Sequence, residues 1–325
     1  MDKRKKQPSP AEIEAKLKEL DSKIEEAEKN QGEVDIRDAI IEKGLYLKDE
    51  ARYLDTAETV FRTAMEKTGG ASKKMEILFE ILQMSFVKLD VDKIQKDIEQ
   101  CRELSKDGDW EKKNKLKVYE GVYCMLVRDF KRAADLFIDS VATFTCSELL
   151  EYKNFVFYTV VTSAVSQERP VIKKHILHSP DILSVIRDVP HLKKFSDSLY
   201  NCDYKSFFEA FVEISAAVKK DRYLQQHASY YVKEMRLVAY RQFLESYKSV
   251  TIGNMAVSFG VSPEFIDKEL SHFISIGKLN CKIDKVSGVV ISNRADQRVN
   301  LYTKMVKHGD LLLNRMQKLA RALDI

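Results

Sequence analysis

Chain breakers are scarce in this sequence of 325 residues, which holds only 11 glycines and 6 prolines. A many-stranded fold needs turn residues every few positions, so their scarcity favours long helices. Cysteine is also sparse. The five thiols, at 101, 124, 146, 202 and 281, are odd in number and form no Cys-x-x-Cys pair. That argues against a disulfide framework and against a zinc knuckle, and fits reduced thiols inside a cell. Charge of one sign is not in excess either: 54 basic and 50 acidic side chains leave a net +4, too little for a global field that would draw the chain onto DNA or an anionic membrane. No apolar run crosses a bilayer. The most apolar stretch, Phe155 to Val165, falls short of the roughly 20 residues a membrane helix needs and is broken by Thr and Ser.

Catalytic signatures are missing as well. The glycines form no phosphate-cradling loop and no G-x-S-x-G elbow. The six histidines, at 175, 178, 191, 227, 272 and 308, give no His-x-His and no His-Glu-x-x-His. His175 and His178 lie one helical turn apart with Asp181 as the sole nearby third ligand, a thin basis for a metal site. The expectation is a non-enzyme with no cofactor and no metal. Met1 to Lys6 has no apolar core behind it and so is not a secretory signal; the basic hexamer reads as a nuclear address or as a solvated terminus.

What is present is helical periodicity. Ser9-Pro10-Ala11-Glu12 reads as a capping box with proline at the first helical position. In the helix that follows, Ile13, Leu17, Leu20, Ile24 and Ala27 form one narrow apolar seam on a charged rod, ending near Asn30-Gln31-Gly32. Broader apolar faces follow at 34–47, 54–67, 72–89, 91–106, 110–127, 129–145 and 147–167, with breaks such as Gly69-Gly70 and Asp107-Gly108-Asp109. Ala57 to Phe61 and Ala133 to Phe137 share a small-residue-then-Phe spacing 76 positions apart, twice a tetratricopeptide-like period of 38. Phe155, Phe157, Tyr158 and Val160 predict a helix buried on most sides. Further helices are predicted near 171–178, 181–188, 191–200, 203–219 and 224–247.

The texture then changes. A short β-branched run at 249–252, a brief helix to Phe259, a helix capped by Ser262-Pro263, and two apolar runs around Lys285-Val286-Ser287-Gly288 follow the order of a winged helix. A helix over roughly 296–323 closes the chain. The helix that would enter a DNA groove carries Glu264, Asp267 and Glu269 against Lys268, which backbone phosphates would repel. Lys278, Lys282 and Lys285 form the basic cluster of the wing, and the module reads as a protein binder.

The run from Tyr230 through Asp284, YYVKEMRLVAYRQFLESYKSVTIGNMAVSFGVSPEFIDKELSHFISIGKLNCKID, resembles the PCI domain, a helical-repeat layer fused to a winged helix. Asp109 to Val160, and the tail GDLLLNRMQKLARALDI from Gly309 to Ile325, resemble one branch of it: the non-ATPase lid subunits of the 26S proteasome regulatory particle numbered seven in yeast and six in animals. The resemblance implies an all-α-dominated chain in four parts: a charged N-terminal helix (1–32), a tetratricopeptide-like helical-repeat domain (33–223), a winged-helix PCI module (224–295) and a C-terminal bundle helix (296–325). It also implies a non-catalytic scaffold for ubiquitin-dependent degradation, found in cytoplasm and nucleus. Its partners would be other PCI-domain and MPN-domain lid subunits and the ATPase ring, with no membrane and no nucleic acid. Contact residues would be Leu311, Leu312, Leu313, Met316 and Leu319 on the last helix and Val289, Val290 and Ile291 in the hairpin. Relatives of this branch carry a further helical segment before the charged helix, so the chain is expected to start part-way in. Two other readings remain: the homologous signalosome subunit, and a nucleic-acid-binding PCI protein of mRNA export or translation initiation.

Overall fold

The structure, a computed structural model, describes residues 10–30, 32–48, 53–105, 109–186, 188–293 and 297–322. The basic hexamer, Ser9 of the capping box, Gln31, and residues 107 and 108 of the predicted break lie outside these. Sixteen α-helices and three short strands are present among the described residues. The chain divides into two compact units: Met1–Tyr200 with Ala210–Tyr231, and Asn201–Glu209 with Val232–Ile325.

In chain order the helices are α1 (Pro10–Asn30), α2 (Glu33–Tyr46), α3 (Leu54–Glu66), α4 (Ala71–Lys88), α5 (Val91–Leu104), α6 (Trp110–Leu126), α7 (Phe130–Ser140), α8 (Tyr152–Ser166), α9 (Arg169–Ile172), α10 (Pro180–Ile186), α11 (Pro190–Asn201), α12 (Tyr204–Lys220) and α13 (Ala228–Ser246). From α1 to α8 sequence neighbours pack as antiparallel pairs, as short connections demand. The seam of α1 docks on α2, burying Ile13, Leu20 and Ala27. The repeated small-then-Phe spacing has a physical role in two of the pairs. Phe61 lies against Gly44 and Phe137 against Gly121, where an added Cβ would come within 2.8 and 2.5 Å of the ring. Any side chain at those glycines would push the helices apart.

Three inter-helix turns are built alike. Leu89, Arg128 and Cys202 adopt left-handed φ values of 58, 71 and 63°, and each is followed by an aspartate that opens the next helix. Asp129 and Asp203 accept from the backbone N–H three residues on, at 3.2 and 3.4 Å. The segments they begin, DFKRAADLF (129–137) and DYKSFFEAF (203–211), share the opening Asp-aromatic-Lys, an acidic seventh residue and a closing Phe. This repeat is clearer than the one read from spacing alone.

Helix α8 is buried nearly all round, with Phe155, Tyr158 and Val160 enclosed and Phe157 half-buried. Three of its hydroxyls are satisfied inside the helix, where Thr159, Thr162 and Ser166 donate to carbonyls one turn back at 2.7–2.8 Å, while the buried Ser163 hydroxyl has no partner among the described residues. Several predicted boundaries move. The helix expected from 147 starts at Tyr152, since Phe144 tucks its ring 4.6 Å from that of Phe155 and the chain must bend to do so. The helix expected over 224–247 starts at Ala228, because Asp221 accepts from the N–H groups of Tyr223 and Leu224 and holds a turn. The segment 171–178 is α-helical only to Ile172 and continues as a π-helix over Lys173–Leu177.

In the second unit, β1 (Ser249–Thr251), α14 (Ile252–Phe259), α15 (Pro263–Ser275), β2 (Cys281–Asp284) and β3 (Val289–Ser292) form the winged helix. The sheet is antiparallel in the order β1-β3-β2. Ser262 accepts from the Phe265 N–H ahead of Pro263, as the sequence predicts. Phe259 anchors the core, with the rings of Tyr204, Tyr240, Phe243 and Phe208 at 4.8–5.4 Å. Gly260 then caps α14 at φ +67°. The last helix, α16, spans Gln297–Ala322.

Candidate protein-interaction site

Two surfaces stand out, α16 and the sheet of the winged helix. Every residue of α16 whose burial is described is exposed except half-buried Gly309. Val299, Leu301, Tyr302, Met305, Val306, Leu311, Leu312, Leu313, Met316 and Leu319 each keep more than half of their surface in solvent. Ten large apolar side chains on one bare helix are not surface noise; burying each would be worth about 2 kcal/mol. At about 100° of rotation per residue, Leu301, Met305, Leu312, Met316 and Leu319 fall on one line. Leu311 and Leu313 lie off that line on opposite sides, each about 100° round the helix from Leu312. Reading the sequence missed the N-terminal half of the seam, Leu301 and Met305, because His308-Gly309-Asp310 interrupts the spacing.

The three hairpin residues part company. Val290 faces inward and is fully buried, Val289 is half-buried and Ile291 is exposed. The register explains this: Val290 pairs with Val250 and Ile283 on the inner face, while Ile291 lies between Ser249 and Lys282 on the outer one. Val290 as a contact residue is therefore corrected, since its side chain belongs to the module's own core. The strand that carries it is central, so the free backbone edges belong to β1 and β2.

The wing's basic cluster is largely neutralised. Lys278 pairs with Glu234, and Lys285 with Asp267 at 3.4 Å, leaving Lys282 exposed. On α15, Glu269 accepts from Arg236 at 2.8 Å and from the Tyr240 hydroxyl at 3.0 Å. Asp284 organises the wing turn by accepting from Ser287 Oγ and Val286 N, and these bonds hold its carboxyl below the usual range. Burial pushes the Cys101 and Cys146 thiols up to about 12 and Cys124 up to about 11, so they stay protonated. Among the described residues no group of three or more His, Cys, Asp or Glu could hold a metal ion, His175, His178 and Asp181 included. Nor is any described helix long and apolar enough to cross a membrane.

Comparison with known proteins adds to this geometry. The family model described as 26S proteasome subunit RPN7 matches residues 2–175, the PCI domain model residues 181–294, and the RPN7/PSMD6 C-terminal helix model residues 302–322. That last span is the bare helix. The 26S proteasome non-ATPase regulatory subunit 6 of Oryza sativa subsp. japonica is 50% identical over 96% of this chain and 80% of its own length. This chain belongs to the RPN7/PSMD6 family of 26S proteasome subunits. The Arabidopsis thaliana homolog of subunit 6 is 48% identical over 96% of the chain, and RPN7 of Saccharomyces cerevisiae 38% over 96%. The same plant's COP9 signalosome complex subunit 1 reaches only 22% over 60%. That contrast sets the RPN7/PSMD6 assignment above the signalosome reading. The PCI match begins at residue 181, so it takes in α10 to α13 as well as the winged helix.

Proposed function

We propose that this chain is a non-catalytic structural subunit of the regulatory particle's lid, scaffolding lid assembly for ubiquitin-dependent protein degradation. The observation that carries the reading is α16: a helix of 26 residues, matched by the family's C-terminal helix model, whose apolar seam stands in solvent. A seam of that kind is stable only when other helices cover it. The partners are other PCI-domain and MPN-domain lid subunits, with the ATPase ring beyond them. Glu234 beside Lys278 and Asp267 beside Lys285 support a role in binding protein rather than in RNA recognition. Cytoplasm and nucleus are its expected compartments.

The double substitution Leu312→Asp/Met316→Asp tests it. Incorporation into the lid should be lost while circular dichroism of the isolated chain stays unchanged; normal incorporation would sink the assignment. Affinity purification with mass spectrometry should recover ATPase ring subunits, whereas cullin-ligase partners would turn the reading toward the signalosome.

A further inference from the structure

On a face beside the seam, α16 carries a second pattern. Lys304, Lys307, Leu311, Arg315 and Lys318 follow one another at intervals of three, four, four and three residues. That spacing keeps them on one stripe of the helix, about 100° round from the middle of the seam. All five are exposed. None of the four cations meets a carboxylate among the described residues, and Asp310, off the stripe, is the one acidic residue between Gln297 and Ala322. Exposed cations elsewhere in the chain do find carboxylates: Lys153 with Asp188 at 2.9 Å, Lys67 with Glu28 at 3.0 Å, Lys23 with Glu42 at 3.4 Å and Lys285 with Asp267 at 3.4 Å. Four like charges at helical spacing repel one another and weaken the helix that carries them unless opposite charge is brought to them.

We propose that this stripe is a second contact surface of α16, and that it receives a helix of a neighbouring subunit bearing Asp or Glu at matching three- and four-residue intervals. The inference rests on the scaffold reading and deepens it. The apolar seam supplies affinity on one face of α16, and the cationic stripe selects which helix lies on the adjoining face. Leu311, which does not fit the seam, gains a place at the centre of the stripe, where it would be the apolar contact between flanking ion pairs. A nucleic acid fits less well. Base stacking needs aromatic rings among the cations, and the stripe has none.

The test compares two variants of the full chain in lid reconstitution, read by native gel and sedimentation. Lys304→Glu/Lys307→Glu/Arg315→Glu/Lys318→Glu should weaken incorporation about tenfold or more, and the milder Gln series should weaken it less while flattening its dependence on salt. In assembled lid, a zero-length carbodiimide should cross-link Lys304 or Lys318 to partner carboxylates spaced three or four residues apart. Should Leu312→Asp/Met316→Asp abolish incorporation while both stripe variants assemble normally at every salt concentration, the stripe inference is overturned and the scaffold reading stands. Cross-links confined to this chain, or stripe variants that lose binding to single-stranded oligonucleotide or anionic vesicles but not to lid, would also overturn it.

Discussion

Helices α1 and α16 are written alike, each a charged rod with an apolar residue every three or four positions, yet one seam is covered and the other bare. In α1, Ile13, Leu20 and Ala27 keep 8, 7 and 3% of their surface; in α16, Leu312, Met316 and Leu319 keep 59, 68 and 60%. The rims differ in the same sense. Lys43 meets Asp21 at 2.5 Å and Lys23 meets Glu42 at 3.4 Å across the α1–α2 contact, whereas the cations of the α16 stripe have no such partner among the described residues. A seam in a sequence thus announces that something will cover it. It does not say whether the cover lies in the same chain.

A charge placed in each seam separates the two helices. Leu20→Asp should cost the isolated chain roughly 4 kcal/mol in urea denaturation, because the carboxylate would be buried without a partner. Leu312→Asp should change it by less than about 0.5 kcal/mol, since the site is already wet. Equal losses would mean that α16 is covered within its own chain.

The same contrast is repeated inside one strand. Val290→Ala should cost about 2 kcal/mol and Ile291→Ala less than about 0.5 kcal/mol, read from thermal melts. An inverted order would mean that the register of β3 against β1 and β2 is shifted by one residue.

A smaller effect concerns charge that is covered rather than bare. Asp97 is buried with Arg62 at 3.3 Å, and burial pushes its carboxyl above the usual range despite the pull of that guanidinium. An acid whose value is raised by folding holds its proton more tightly in the folded chain. Its favourable contribution is therefore present at low pH and lost as pH rises through the folded value. Asp97→Asn should stabilise the chain at neutral pH and less so in acid, read by urea denaturation at both pH values, with Arg62 still held by Glu58 at 3.1 Å. A variant less stable than the parent at neutral pH would show that the ion pair outweighs the burial.

Much of the fold could be read from residues a few positions apart. Ser262-Pro263, Gly260 and the hairpin turn at 285–288 lie where cap and turn chemistry puts them, since each depends on bonds within one turn of chain. The misplaced starts at Tyr152 and Ala228 have non-local causes, a ring packed against Phe155 and a turn held by Asp221. The aspartate turns after Leu89, Arg128 and Cys202 escaped notice because the sequence signal for a left-handed residue is usually glycine, and none of these is one. Of the contact residues, Leu312, Met316 and Leu319 were legible as a seam, while Leu311 and Val290 were grouped with their neighbours in sequence although each faces another way.

Local chemistry settled that helices follow one another along most of the chain, that Ser262-Pro263 and Gly260 cap two of them, and that apolar stripes run along them, because caps, glycines and periodicity act over about one turn of helix. Only the tertiary structure decided that the α1 stripe is satisfied at home and the α16 stripe is not, that Val290 points inward, and that Lys278 and Lys285 are neutralised. Those outcomes hang on distances between residues far apart along the chain, and no local rule carries them.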